Sequence, residues 1–472
     1  MIVTTSWYDT STSTASTERD RLAVLRSQLM GELITADSPL YDAARQVQNV
    51  TVDRRPLAIV RAENSEDVAA AVRFARDQGL ALGVRSGGHS LARLTIADGA
   101  VVVDLSQMKR IAIHPETRIC RIQTGATSAD VGAAAQEFGL ALSTGDTSSV
   151  GMGGLATGGG IGFMVRKYGL TIDSLLSARV VTANGEIVTA SPTEHPDLFW
   201  AIRGGGGNFG IVAELELRLA PVAQILGGEI VLPATREVLR GYLEYTASAP
   251  DDLSTIGNLM HAPPFPHVPP ELVGEVVFSV LVCWSGGLEE GERALAPLRA
   301  LATPLLDRVS PMPYPRIYDF TAHQAVRHAW AIRSMFSDEL SDAALDASLA
   351  SIRGSSSPYS IIHFRGLGGA LARVARDETA FVHRSQRYLL GIIGLWMDAD
   401  EDPEPHRAWV QSLWQQVRHE GEGVYMNFLE DEGDARIREA YSAATYARLR
   451  EIKRRYDPRN LFTLNQNVPP RS

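Results

Sequence analysis

The run at 57–61 is apolar on every residue up to Arg61 and is short enough to read as a buried strand. A helix is expected next. Asn64 or Ser65 can cap it, Glu66 and Asp67 suit its positive first turn, Val68, Val72 and Phe74 give it an apolar side, and Gly79 can end it. A second strand over 80–85 runs into Ser86-Gly87-Gly88-His89-Ser90, so that turn belongs at a strand end. Further strands are predicted over 100–105, 110–114 and 118–124, with an Ala-rich helix over 128–138 stopped by Gly139.

Eight of the eighteen residues from Gly145 to Gly162 are Gly. Such density implies turns at positive φ or close approach to a ligand, and exposed N–H groups in such turns form anion-binding nests. A phosphate cradle and a plain surface loop are the two readings of this segment. A second cluster carries G-x-G-x-x-G at Gly205, Gly207 and Gly210, but it follows a helix-like 197–202 and opens a strand, since Ala213, Leu215, Leu217 and Leu219 alternate with polar residues. A dinucleotide fingerprint needs the reverse order, so a Rossmann NAD site is rejected. After Pro221 the pattern shifts to longer polar helices, Pro-rich links such as 262–270, and isolated strands near 275–284, 360–365 and 388–397. The strand at 360–365 puts His363 and Arg365 on one face, by default as solvated polar residues. One long amphipathic helix is expected over 434–457, stopped by Pro458.

The chain has 472 residues, 45% hydrophobic and 21% charged, which fits an ordinary globular protein of two or three domains. Its formal charge of −10 disfavours nucleic acid and acidic membranes as partners. Two cysteines, Cys120 and Cys283, are too few and too far apart for a disulfide framework or a metal-ligand pair, and both read as buried thiols. No metal site is expected, because the eleven His show no metal-ligand spacing. Residues 4–17 are Ser/Thr-rich and read as a frayed tail. No apolar run reaches transmembrane length, so a cytoplasmic protein is expected, as a monomer or homodimer.

Four segments together resemble the berberine-bridge-type FAD-linked oxidases, part of the wider superfamily with PCMH-type FAD domains that includes vanillyl-alcohol oxidase. They are Val84-Arg-Ser-Gly-Gly-His-Ser90; Gly158-Gly-Gly-Ile-Gly162 with Arg166-Lys-Tyr-Gly-Leu170 and Asp173; the stretch from Asp197 through the second Gly cluster to Val212; and Tyr456-Asp-Pro-Arg-Asn-Leu-Phe462. The resemblance implies an α+β fold: a two-part PCMH-type FAD-binding domain and a substrate domain with an antiparallel sheet covered by helices. It divides the chain into a lead-in at 1–51, the FAD domain at 52–222, the substrate domain at 223–424 and a returning segment at 425–472.

The same resemblance implies the site. His89 occupies the position of the family's flavin-linking His, whereas local sequence alone favours a structural His. Thr147 stands where some relatives carry a second linking Cys, and a Thr hydroxyl forms no thioether, so FAD is expected to be covalent at His89 only. Arg85, Ser86, Gly87, Gly88, Ser90, Val150, Gly151, Gly154, Thr157, Gly158, Gly159 and Gly162 are expected around the cofactor, as are Asn208, Val212, Asn427, Asn465 and Asn467. Tyr425, in Tyr425-Met-Asn427, is the first candidate for a base or orienting group, against the plain reading of a core Tyr. As a base it needs a cation or strong donors nearby, and Arg365 could serve. His363 and Arg365 replace the family's acidic or Gln side chains, which favours an anionic or phenolic substrate. Asp173 is expected to hold its loop. The implied function is oxidation of a small alcohol, phenol, amine or polyketide-type compound, with hydride passing to FAD and O2 as the final acceptor. Alternatives are a natural-product-binding or resistance flavoprotein and a monooxygenase-like tailoring enzyme.

Overall fold

In a computed structural model, which describes residues 10–471, the chain forms a mixed α+β fold around three main sheets. The first has four strands in the order Glu32–Ile34, Ala58–Arg61, Val101–Asp104, Leu82–Arg85, and all but its first pairing are parallel. The second is antiparallel, in the order Ile111–His114, Ile119–Gln123, Ile211–Arg218, Leu175–Val181, Ile187–Ala190. Helix Ser65–Gln78 lies between them. Its Asn64 cap accepts from the Asp67 N–H, Gly79 closes it at φ 64°, and Val68 and Val72 pack into a core shared by both sheets.

The third sheet is large and antiparallel, with Leu253–His261, Ile361–Gly366, Tyr388–Trp396 and Ala329–Ser337 adjacent in that order. Strand alternation divides its residues cleanly. Ile362, Phe364, Leu390, Ile392, Ala331 and Met335 point into the core beneath helices Arg236–Ser248, Asp342–Arg353 and Glu404–Val417. Their neighbours Ile361, His363, Ile393, Leu395, Trp330 and Ile332 face the opposite way, toward the glycine-rich segments.

Three expectations need correction. The tail read as frayed is helical from Thr10, as the start of helix Thr10–Ser27, and its residues before Thr10 lie outside the described part. The single helix expected over 434–457 is two, Asp434–Glu439 and Ala443–Tyr456, because Ser442 takes an extended conformation and caps the second by accepting from the Thr445 N–H. His363 and Arg365 are buried rather than solvated, at 7% and 1% exposure. Cys120 and Cys283 are buried free thiols, and burial pushes both up to about 12.

The final helix is anchored by a fully buried ion pair. Lys453 Nζ donates to Asp457 Oδ2 at 2.7 Å and to the carbonyls of Asn208 and Phe462, while Asp457 accepts from the N–H groups of Leu461 and Phe462. This accounts for the Tyr456–Phe462 motif: the last turn of the helix and the strand-entry loop at Asn208 are tied through one ammonium. Asp457→Ala, which strands that ammonium, is expected to cost about 3–5 kcal/mol in urea melts and to expose the last residues to limited proteolysis.

Candidate active site

A cavity of about 370 Å³, measured as space open to the centre of a water molecule, lies between the glycine-rich segments and the open face of the large sheet. Ser86, Gly87, Gly88, His89, Ser90, Thr147, Val150, Gly151, Gly154, Thr157, Val212, His363, Tyr425, Asn427 and Asn465 all line it. Sequence positions 86 to 465 therefore converge on one space.

The turn after strand Leu82–Arg85 forms one lobe. The backbone N–H groups of Gly87, Gly88, His89 and Ser90 donate no hydrogen bond among the described residues. Gly88 sits at φ 75°, and Gly87 packs so closely on Gly151 that a Cβ would come within 2.4 Å of the Gly151 nitrogen. Gly154 and Gly207 have open space where a Cβ would stand, and both line the cavity. Uncommitted N–H groups beside that space make an anion nest. The unpartnered, buried Oδ1 of Asn465 adds a polar group at the far end. His89 Nε2 lies 2.9 Å from Ser149 Oγ, and its Nδ1 engages no group among the described residues. Burial, with a smaller contribution from His328, lowers its pKa to about 4, so the imidazole is neutral at pH 7.

Tyr425 closes the junction between the two lobes. Its Oη accepts from the N–H of Gly160 at 3.0 Å, from the N–H of Ile161 at 3.3 Å and from Asn427 Nδ2 at 2.9 Å. The Asn427 amide is oriented by its second donation, to the Leu155 carbonyl at 3.2 Å. Burial raises the phenol above its ordinary value, and the three donors, with the positive charge of Arg365, oppose that rise.

A buried polar chain runs behind Tyr425. Arg365 pairs with Asp146, donates to the Ile161 carbonyl at 2.9 Å, and points Nε–H at His363 Nε2 at 3.3 Å. Because guanidinium nitrogens only donate, Nε2 must be the unprotonated imidazole nitrogen, and Nδ1–H therefore donates to Asn258 Oδ1 at 3.0 Å. Burial and the neighbouring Arg365 lower the His363 pKa to about 3, against the pull of Asp146. Burial pushes the Asp146 carboxyl up, and Arg365 with His363 more than reverses this, leaving it below its ordinary value.

Several expected contacts lie elsewhere. Arg85 turns away from the cavity and ties Asp104 to the Ala44 and Gln46 carbonyls. Gly158, Gly159 and Gly162 lie behind the lining. A Cβ on them would meet Asn427 Oδ1 at 2.1 Å, Phe381 at 3.2 Å and the Thr144 carbonyl at 1.5 Å, so their absence of side chain serves packing. Asn208 is committed to Gly205, Gln466 and Val468, and Asn467 is outside the cavity. Arg365 does not reach the lining either, since Asp146 and the Ile161 carbonyl hold it. Asp173 holds its loop through the Leu170 N–H and pairs with Arg384 at 2.8 Å. Sequence reasoning missed Asn258, Asp146, Ser149, Gln324, His328 and Trp330. Asp146 and Ser149 lie within the first Gly-rich segment but carry no motif of their own, the other four lie outside the Gly clusters, and only strand pairing reveals that Asn258 stands opposite His363.

Known proteins resemble this chain in sequence and fold. A family profile described as an FAD binding domain matches residues 56–191, and one described as berberine and berberine like matches 424–469. (R)-6-hydroxynicotine oxidase of Paenarthrobacter nicotinovorans is 32% identical over 461 residues, covering 94% of this chain and 97% of that protein. The chain belongs to the berberine-bridge-type FAD-linked oxidases. Xylooligosaccharide oxidase of Thermothelomyces thermophilus is 30% identical and covers 88% of this chain and 87% of its own. The crystal structure of 6-hydroxy-D-nicotine oxidase from Arthrobacter nicotinovorans superposes with a TM-score of 0.83 at 28% identity, covering 94% of this chain and 98% of that one. The protein is thus an FAD-linked oxidoreductase, and the open nest at 87–90 with the space beside Gly154 and Gly207 fits that cofactor. Among the described residues no helix is long and apolar enough to cross a membrane.

Removing Arg365 leaves Asp146 without its counter-ion and His363 without its donor. Arg365→Met is expected to cost about 3–5 kcal/mol in urea melts, and adding Asp146→Leu is expected to recover a large part of that loss. An additive double mutant would show that the two do not act as a pair.

Proposed function

We propose that this protein is an oxidase of a small organic substrate, with FAD bonded covalently to His89 alone and Tyr425 as the group that takes the substrate's proton. The observation that carries the reading is that His89 and Tyr425, whose oxygen accepts three hydrogen bonds, line one cavity. FAD, when bound, accepts a hydride equivalent and passes its electrons to O2, giving hydrogen peroxide.

The chain's own residues supply position and proton transfer. The N–H groups of Gly87 to Ser90 would hold the pyrophosphate without any cation, since the lining contains no Arg or Lys among the described residues. A neutral imidazole is nucleophilic, and with Ser149 at Nε2 the free Nδ1 of His89 is the atom available for the covalent bond. Thr147 Oγ donates to Gln324 Oε1 at 2.6 Å, so the position of the second link is closed by a hydrogen bond. Tyr425 acts as base in its phenolate form. Two backbone N–H groups and one amide stabilise that anion, as an oxyanion hole does.

Acid precipitation tests the attachment. Yellow colour is expected to stay with the wild-type polypeptide and to pass into the supernatant from His89→Ala; release from both proteins would refute the covalent link. Substrate-dependent peroxide release tests the oxidase.

Tyr425→Phe is expected to lower kcat by about 100-fold or more while flavin content is unchanged. Because the base works deprotonated, kcat/KM should rise with pH up to the Tyr425 pKa. Asn427→Leu, which removes one donor, should move that limb to higher pH, and a limb that stays in place would argue against Tyr425.

A further inference from the structure

Apart from His363, the face that the large sheet turns to the cavity is mainly hydrocarbon. Strand register sets Ile361, Ile393 and Ile332 directly opposite one another across three neighbouring strands, with Leu395 opposite Trp330 one step along. All five line the cavity, as does Phe428 beside Tyr425. Ile393 and Leu395 are half-buried while their neighbours Ile392, Gly394 and Trp396 are buried, so these two side chains are open to the cavity.

The charge inventory points the same way. Asp146 is the one charged residue of the lining among the described residues, and Arg365 neutralises it from behind. His89, His328 and His363 all have lowered pKa values through burial and are neutral at pH 7. A cationic amine would find no free carboxylate here, and an anion no cation; burying either without a partner is strongly unfavourable. A sugar would leave several hydroxyls facing Ile, Leu and Trp without hydrogen-bond partners.

Resting on the oxidase reading above, we infer that the substrate is a neutral, mainly hydrocarbon alcohol whose hydroxyl meets Tyr425 and whose body lies on the Ile361, Ile393, Ile332 row. This replaces the anionic or phenolic substrate that His363 and Arg365 suggested in the sequence. In the net reaction the alcohol loses one C–H and its O–H bond and becomes a carbonyl. Its two electrons and two hydrogens end on O2 as hydrogen peroxide, and the O–H proton leaves through Tyr425.

Calorimetric titration of the holoprotein at pH 7 with cinnamyl alcohol, cinnamylamine, cinnamate and cellobiose tests the class directly. The alcohol is expected to bind at least about 10-fold more tightly than each of the other three. Equal or tighter binding of the amine, the carboxylate or the disaccharide, or no binding by any of the four, would overturn the inference. Ile393→Glu is expected to raise the affinity for the amine relative to the alcohol by about 10-fold or more. Leu395→Glu makes the same test nearer the end of the wall, and an unchanged order in both variants would also overturn it. The visible spectrum of each sample reports FAD separately: colourless folded protein would sink the oxidase reading, whereas a yellow protein that prefers charged ligands would sink only the substrate class.

Discussion

Arg365 joins the parts of the site that strand pairing and turn geometry leave separate. It projects from the middle of the large sheet, yet its guanidinium reaches Asp146 on the 145–151 loop and the Ile161 carbonyl beyond the glycine-rich helix Met152–Gly158. A buried guanidinium with these partners has little freedom, because moving it would strand a carboxylate in a low-dielectric interior. The position of the sheet relative to the 145–161 segment is therefore set by charge, and His363 and Tyr425 inherit it. The Ile161 backbone shows this economy: its carbonyl accepts from Arg365 while its N–H donates to Tyr425. Any shift of the sheet against that segment would disturb the Tyr425 oxygen.

Two ammonium and guanidinium groups do comparable work at opposite ends of the cavity. Lys453 draws the Asn208 and Phe462 carbonyls together, which brings the last residues alongside the second Gly cluster. Arg365 fixes the other end. Neither side chain touches the cavity, so these two cations act as architecture, and the one charged residue of the lining among the described residues is Asp146, paired with Arg365.

The local elements were legible in the sequence wherever one signal dominated. Asn64 and Gly79 bracket their helix as caps should, and the alternation at 213–219 gives its strand. The reversed order around Gly205–Gly210 correctly excluded a Rossmann site: helix Pro196–Ala201 precedes it and strand Ile211–Arg218 follows. What was not legible was which Gly serves the ligand and which serves packing. Gly154 and Gly158 look equivalent in sequence, but one faces open space and the other Asn427, and that distinction exists only in the tertiary structure. Likewise a period of two placed His363 and Arg365 on one face without saying what lies opposite. Asp146 and Asn258, distant in sequence, turn a nominal anion receptor into a sealed, neutral relay.

That neutrality has a consequence for the chemistry. In a cavity without mobile charge, the negative charge of a Tyr425 phenolate, the base proposed above, is held by fixed dipoles at 2.9–3.3 Å rather than by rearranging solvent. Such dipoles need no reorganisation as the proton arrives, but they cannot match a full counter-ion against burial, which is why the phenol remains above its ordinary value. Under the role proposed for Tyr425, the arrangement favours a base that is weakly populated as phenolate and strong when it forms. A cation placed in the lining would populate the phenolate more fully while making it a poorer acceptor for an alcohol proton. By holding Arg365 behind Asp146, the fold keeps Tyr425 at the basic end of that compromise.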